Sequence, residues 1–167
     1  MLLWAAVLTA QAPAAEGAPR SAAVLGVTLI DSSTEGDING VRADETARVS
    51  MLRDSLAAAF AEKGWTLIDP APVQARLDAM TNPADCNGCD ARLARELGAD
   101  VAVTAEVQKV SNLILTINVL MRDAQTGGLI RAGNADIRSN TDRSWRRGLS
   151  YVLRNRIFPG LSAEQGE

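Results

Sequence analysis

Histidine is missing from all 167 residues. Its absence removes Ser-His-Asp and Cys-His nucleophile pairs, His-ligated zinc sites and any imidazole proton shuttle. Aromatic residues are scarce, with three Trp, one Tyr and two Phe, so a core has to be assembled mainly from Leu, Val, Ile and Ala. Only two cysteines occur, too few for a four-ligand zinc site in a chain without imidazole. The sequence also lacks a G-x-x-x-x-G-K-[ST] phosphate loop and a G-x-G-x-x-G dinucleotide fingerprint. Carboxylates are plentiful, but no pair stands out for acid–base work. No cofactor and no metal site are expected.

What is present fits one small domain. The apolar fraction of 47% supports a packed core rather than disorder. The net charge of −3 speaks against a dedicated nucleic-acid binder, yet the charge is uneven. From Val101 onward nine basic residues face six acidic ones, and the first hundred residues carry the opposite bias. Leu2 to Leu8 form an apolar run too short to span a bilayer, followed by small residues with A-x-A sites ending at Ala12 or Ala14. Residues 1–15 therefore read as an export signal, although no Lys or Arg precedes the run; the alternative is a buried N-terminal helix, which Pro13 disfavours. Residues 16–22 read as a linker, 23–158 as a single domain and 159–167 as a flexible tail.

Within the domain, Ala22 to Ile30 is apolar on both faces, as in an interior strand. Asp31 to Gly40 reads as a polar loop. Val49, Leu52, Leu56, Ala59 and Phe60 repeat at helical spacing between Asp44 and Lys63, and Gly64 stops the helix. A short strand over Trp65 to Asp69 and a helix from Pro70 to about Met80 follow, then a helix over Cys89 to Leu97. Three β-rich runs, Asp100 to Val110, Leu113 to Arg122 and Leu129 to Arg138, are joined by hairpin turns. A last helix, with N-cap candidates Asn140, Thr141 and Asp142, buries Trp145, Leu149, Val152 and Ile157 and points Arg147 and Arg154 away. The order β-α-β-α-α-β-β-β-α makes an α/β (α+β) domain with a mixed sheet, a C-terminal antiparallel meander and a final helix.

Three motifs invite chemistry. Cys86-Asn87-Gly88-Cys89 suits a small structural disulfide in an oxidising compartment. A redox role is the alternative, with Cys86 at a helix N-terminus that would favour thiolate and with Asp85 and Asp90 opposing it. The loop holding Asp31, Glu35, Asp37, Asn39 and Asp44 is a solvated loop or, less simply, a small-ligand or metal site without the spacing of an EF-hand. The last helix, carrying Arg143, Arg146, Arg147, Arg154 and Arg156, could meet phosphates or carboxylates, though only Trp145 and Tyr151 accompany it as aromatics.

The stretch from Leu97-Gly98-Ala99-Asp100 to Leu115, together with Met121-Arg122-Asp123-Ala124-Gln125-Thr126-Gly127 and Asp136 to Gly148, resembles an uncharacterised family of small secreted bacterial proteins, a domain of unknown function (2380/3280-like). Gly98-Ala99-Asp100 and Asp123-Ala124-Gln125-Thr126-Gly127 give a looser similarity to the N-terminal domain of the Tol-system propeller protein and to curli-assembly-type lipoproteins. These resemblances imply an anticodon-binding-like fold and a non-catalytic periplasmic accessory protein that binds a partner protein of the cell envelope, in possible association with a quinoprotein dehydrogenase system. The contact surface expected for that partner comprises Gln108, Lys109, Asn112, Arg138, Asn140 and Arg146. Helix capping is the competing role for Asn140 and Asp142.

Overall fold

The computed structural model describes residues 20–161, so the expected signal, all but the end of the linker and the tail beyond Leu161 lie outside the described residues. Alternation governs the first strand, β1 (Ser21–Asp31), with one interruption. Ala22 and Val24 face one side of the sheet. At Gly26 (φ 145°, a conformation side-chain-bearing residues avoid) a bulge shifts the register, and Val27 and Leu29 then face the same side. A short helix follows, α1 (Thr34–Asn39), where the polar composition predicted a loop. It has no buried residue and so no apolar periodicity to betray it. Ser33 starts it, its Oγ accepting from the Gly36 amide at 3.1 Å.

Helix α2 (Ala43–Glu62) leads to β2 (Thr66–Leu67), a 3₁₀ turn (Ala71–Val73), α3 (Gln74–Asp78), a second 3₁₀ turn (Pro83–Asp85) and α4 (Cys89–Glu96). Strands β3 (Val101–Ser111), β4 (Ile114–Asp123) and β5 (Leu129–Ile137) form the expected meander, and α5 (Asp142–Val152) runs into a π turn (Leu153–Ile157). The strands lie in the order β2-β1-β3-β4-β5, with β1 parallel to both neighbours and the last three antiparallel. The sheet is mixed, as the hairpins and the α2 crossover require. Two edges remain: β2 pairs only with Ser21 and Ala22, and β5 has no outer neighbour among the described residues.

The two faces differ. On one, Leu52, Leu56 and Phe60 of α2 and Trp145, Leu149 and Val152 of α5 pack on Val103, Ala105, Val107, Leu115, Ile117 and Val119. Burying each large side chain there contributes ~1.5–3 kcal/mol. On the other, Leu77, Leu93 and Ala94 cover only Ala23, Leu25 and Ala102, leaving Gln108, Thr116, Asn118 and Asp136 on an open polar surface. Helix α5 sits close to the sheet because Gly148 has no side chain; a Cβ there would come within 2.7 Å of Ile137 Cγ2 and 2.9 Å of Ile117 Cδ1. The π turn, closed by the Phe158 amide donating to the Leu153 carbonyl at 2.9 Å, lets Leu153, Ile157 and Phe158 all reach the core.

Candidate functional site: an arginine-lined groove beside the last strand

The six residues expected to form one contact surface are divided among four places. Lys109 is not on a surface at all. It stands in phase with Val101, Val103, Ala105 and Val107 on β3 and is fully buried, which removes it from any contact surface. Its neighbour across the parallel pair is Asp31, and Glu45 occupies the matching position one turn ahead of the apolar stripe of α2. The Lys109 ammonium lies 2.7 Å from Glu45 Oε1, 2.9 Å from Asp31 Oδ2 and 3.7 Å from Glu35 Oε2. Burial would push its pKa down, but the hydrogen bonds to Glu45 and Asp31 prevail and raise it.

Asn112 and Asn140 rim this network. Asn140 donates to Glu45 Oε1 at 2.6 Å and to Asn112 Oδ1 at 3.1 Å, while its own Oδ1 accepts from Trp145 Nε1 at 3.0 Å. Thr141, rather than Asn140 or Asp142, caps α5, its hydroxyl accepting from the Ser144 amide at 3.3 Å. Asp142 instead pairs with Arg48 at 2.9 Å. Arg42 bridges Glu35 at 2.6 Å and Asp44 at 2.9 Å. Its hydrogen bond to Asp44, with Arg48 helping, holds that carboxyl at about 2, and its bond to Glu35 lowers that one also. The loop once open to a metal-site reading thus has Asp31, Glu35 and Asp44 matched to cations of the chain, and no group of three or more ligands is arranged for a metal among the described residues.

Gln108 points to the open sheet face and donates to Glu106 at 2.8 Å. Arg146 lies against Met51 between α5 and α2. Cys86 and Cys89 form a disulfide with a Cα–Cα separation of 5.5 Å. Cys89 opens α4, as the expected helix from Cys89 has it, so Cys86 lies before the helix and not at its N-terminus, where the redox alternative had placed it. Cys89 is buried against Met80, and Asp90 beside it is buried 3.2 Å from Arg122.

Arg138 lies elsewhere again, in a groove of about 660 Å³ between β5 and α5 that also takes in Arg147, Tyr151 and Arg156. Gly133 permits this arrangement, since a Cβ at that position would collide with the aliphatic stem of Arg156. All three arginines are exposed, and none forms an ion pair among the described residues. The lone carboxylate in the groove wall, Asp136, accepts a hydrogen bond from Thr116 at 2.8 Å. Arg147, Tyr151 and Arg156 were absent from the six-residue contact surface, although the sequence had marked the basic last helix as able to meet phosphates or carboxylates. Their signal was available: Ser144, Arg147 and Tyr151 fall at i, i+3 and i+7 opposite the buried stripe of α5. What sequence could not supply is the pairing of that stripe with Arg138 across the β5 edge.

The fold defines an α/β domain that is also found in other solved bacterial proteins. The C-terminal domain of LpoB from Salmonella enterica superposes with a TM-score of 0.51 at 17% identity, covering 75% of this chain and 88% of that one. Lipoprotein GNA1162 from Neisseria meningitidis gives a TM-score of 0.51 at 20% identity over 89% of this chain and all of the other. Both likenesses are of fold. No curated protein matches the sequence. The chain belongs to the DUF3280 family, described as "Protein of unknown function (DUF2380)", whose pattern matches residues 20–157.

Proposed function

We propose that this chain is a non-catalytic domain of the bacterial cell envelope that docks a partner protein through the groove between β5 and α5. The observation that carries the reading is the convergence of Arg138, Arg147 and Arg156 on one concavity whose single carboxylate, Asp136, pairs with none of them. Solvated guanidinium groups are ordinary singly, but three drawn from three segments around one groove are fixed by the fold rather than scattered. The fold likeness to lipoproteins and the leader-like first residues support an envelope location. A quinoprotein dehydrogenase system, implied by the family resemblance, is one candidate source of the partner. The dithiol alternative is weaker, because the sulfur at the helix N-terminus, Cys89, is shielded from attack.

Site-specific photo-crosslinking tests the proposal. A photoreactive residue at Tyr151, in the groove, is expected to give one discrete protein adduct in intact envelopes, and Arg138→Glu should abolish it. The same probe at Gln74, on the other side of the sheet, should give none. Equal adducts from both positions, or none from Tyr151, would sink the docking role.

A further inference from the structure

We infer that the occupant of the groove is an extended acidic segment of the partner protein, added as a sixth strand along the outer edge of β5. This occupant presupposes the docking role proposed above and specifies its chemistry. Strand β5 runs nine residues, Leu129–Ile137, without proline, and stands last in the sheet. Every second residue therefore turns its amide and carbonyl outward, where only water or another strand can satisfy them. Edges of this length are usually shortened, bulged away or covered; here a bulge at Ile130 breaks the pairing near the start, but the seven residues from Arg131 to Ile137 run on in regular register with no outer neighbour among the described residues.

The arginines lie where an added strand would run. Arg138 follows the end of β5, and Arg147 and Arg156 overhang it from α5 and the π turn. A strand laid beside β5 at the usual spacing of about 4.8 Å would direct alternate side chains toward them, and carboxylates at those positions would find charge-assisted donors. Two other occupants fit worse. A second copy pairing β5 with β5 would press two sets of uncompensated arginines together, an arrangement that opposes association. Nucleic acid would want a row of exposed aromatics for stacking, and the groove offers Tyr151 alone.

The test uses the folded domain and a synthetic peptide of about eight residues alternating Glu and Val, close to the length of the β5 edge. Binding is followed by fluorescence anisotropy and by amide hydrogen exchange. The Glu-Val peptide is expected to slow exchange at alternate amides of β5 and to bind about tenfold more weakly after Arg147→Glu or Arg156→Glu, an effect of one charge pair on the affinity scale. A Lys-Val peptide should not bind, and a Glu-Val peptide N-methylated at every second residue should lose most of its affinity while keeping its charge. Failure of the Glu-Val peptide to bind, binding without protection of β5, or tighter competing binding by oligothymidylate would each overturn the strand. A Tyr151 crosslink to a partner lacking an acidic segment would overturn it while leaving docking intact, whereas loss of every Tyr151 adduct removes docking itself.

Discussion

Two charged regions flank α5, and they are built on opposite principles. At the N-terminal end of the helix, Lys109, Arg42 and Arg48 are matched to Asp31, Glu35, Asp44, Glu45 and Asp142, and Asn112 and Asn140 take up donors and acceptors left between them. In the groove beside β5, Arg138, Arg147 of the helix and Arg156 of the π turn have no such partners among the described residues. A charge that the chain itself neutralises at its own burial cost belongs to the fold; a charge left open at a groove remains available to something else. The same residue classes in one small domain thus separate into a structural set and a binding set by whether their complement is inside the molecule.

The sharpest way to break that division is at Lys109. Replacing it by methionine leaves the Glu45 carboxyl, 1% exposed, buried without its partner, and removing one partner of a buried pair costs ~3–5 kcal/mol. We expect Lys109→Met to lower stability by that amount in urea unfolding, and Lys109→Met with Glu45→Met to recover most of it. If the single variant loses less than about 1 kcal/mol, the network is not structural and the comparison fails.

The next largest effect is steric. Gly148→Ala places a methyl group against Ile137 and Ile117, and overpacking of this kind costs ~1–3 kcal/mol. Because α5 must lift off β5 to make room, the groove should widen, so the variant is expected to lose both stability and crosslinking from Tyr151. Thermal unfolding together with the Tyr151 crosslink yield reads both. A variant that loses stability while crosslinking as before would show that the groove does not depend on the seating of α5.

Much of this was legible in the sequence because most signals were periodic. The stripe of α2 and the stripe of α5 each repeat an apolar residue at the period of a helix, and each faces the core as expected. Lys109, Asp31 and Glu45 also obeyed the periods of their own elements; they are polar residues in core phase, and reading Lys109 as a surface residue and Asp31 as part of a solvated loop overlooked their phase. Helix α1 was illegible for the opposite reason, since it packs nothing and has only its Ser33 cap to mark it. The groove was half legible. Its helix face could be drawn from spacing, but its contact with Arg138 and the closeness that Gly133 allows depend on how α5 lies across the sheet.

Acid separates the regions more gently. Ser33 and Lys109 together outweigh burial at Asp31 and lower its pKa, Arg42 lowers that of Glu35, and Arg42 holds Asp44 at about 2. A carboxylate with a depressed folded pKa contributes stability above its unfolded value, 3.8 for aspartate, and loses it as pH falls through the folded value. Lys109, whose pKa is raised above 10.5, contributes below that pH and loses its share above it. Stability from the network should therefore be level from about pH 5 to 10 and fall on either side, as followed by tryptophan fluorescence. A midpoint of acid loosening above pH 5 would contradict the depressed carboxylates. Added salt should weaken groove binding well before it touches stability, since exposed charges are screened over about 8–10 Å and the buried pair is not.

The smallest stability effect is the most telling one. Arg138, Arg147 and Arg156 are exposed and unpaired, so Gln at any of them should shift unfolding by less than about 0.5 kcal/mol. All three together relieve mutual repulsion within a screening length, and the triple variant should be as stable as the parent or slightly more so. Yet it should no longer bind the acidic strand. Stability retained with binding lost is the signature of charge held ready for a partner, and it is the reverse of the Lys109 outcome, where charge is held for the fold. Measuring melting temperature and anisotropy on the same triple variant decides between them. A loss above about 1 kcal/mol would mean that the guanidinium groups already serve contacts within the domain, and the groove would then belong with the Lys109 network rather than opposite it.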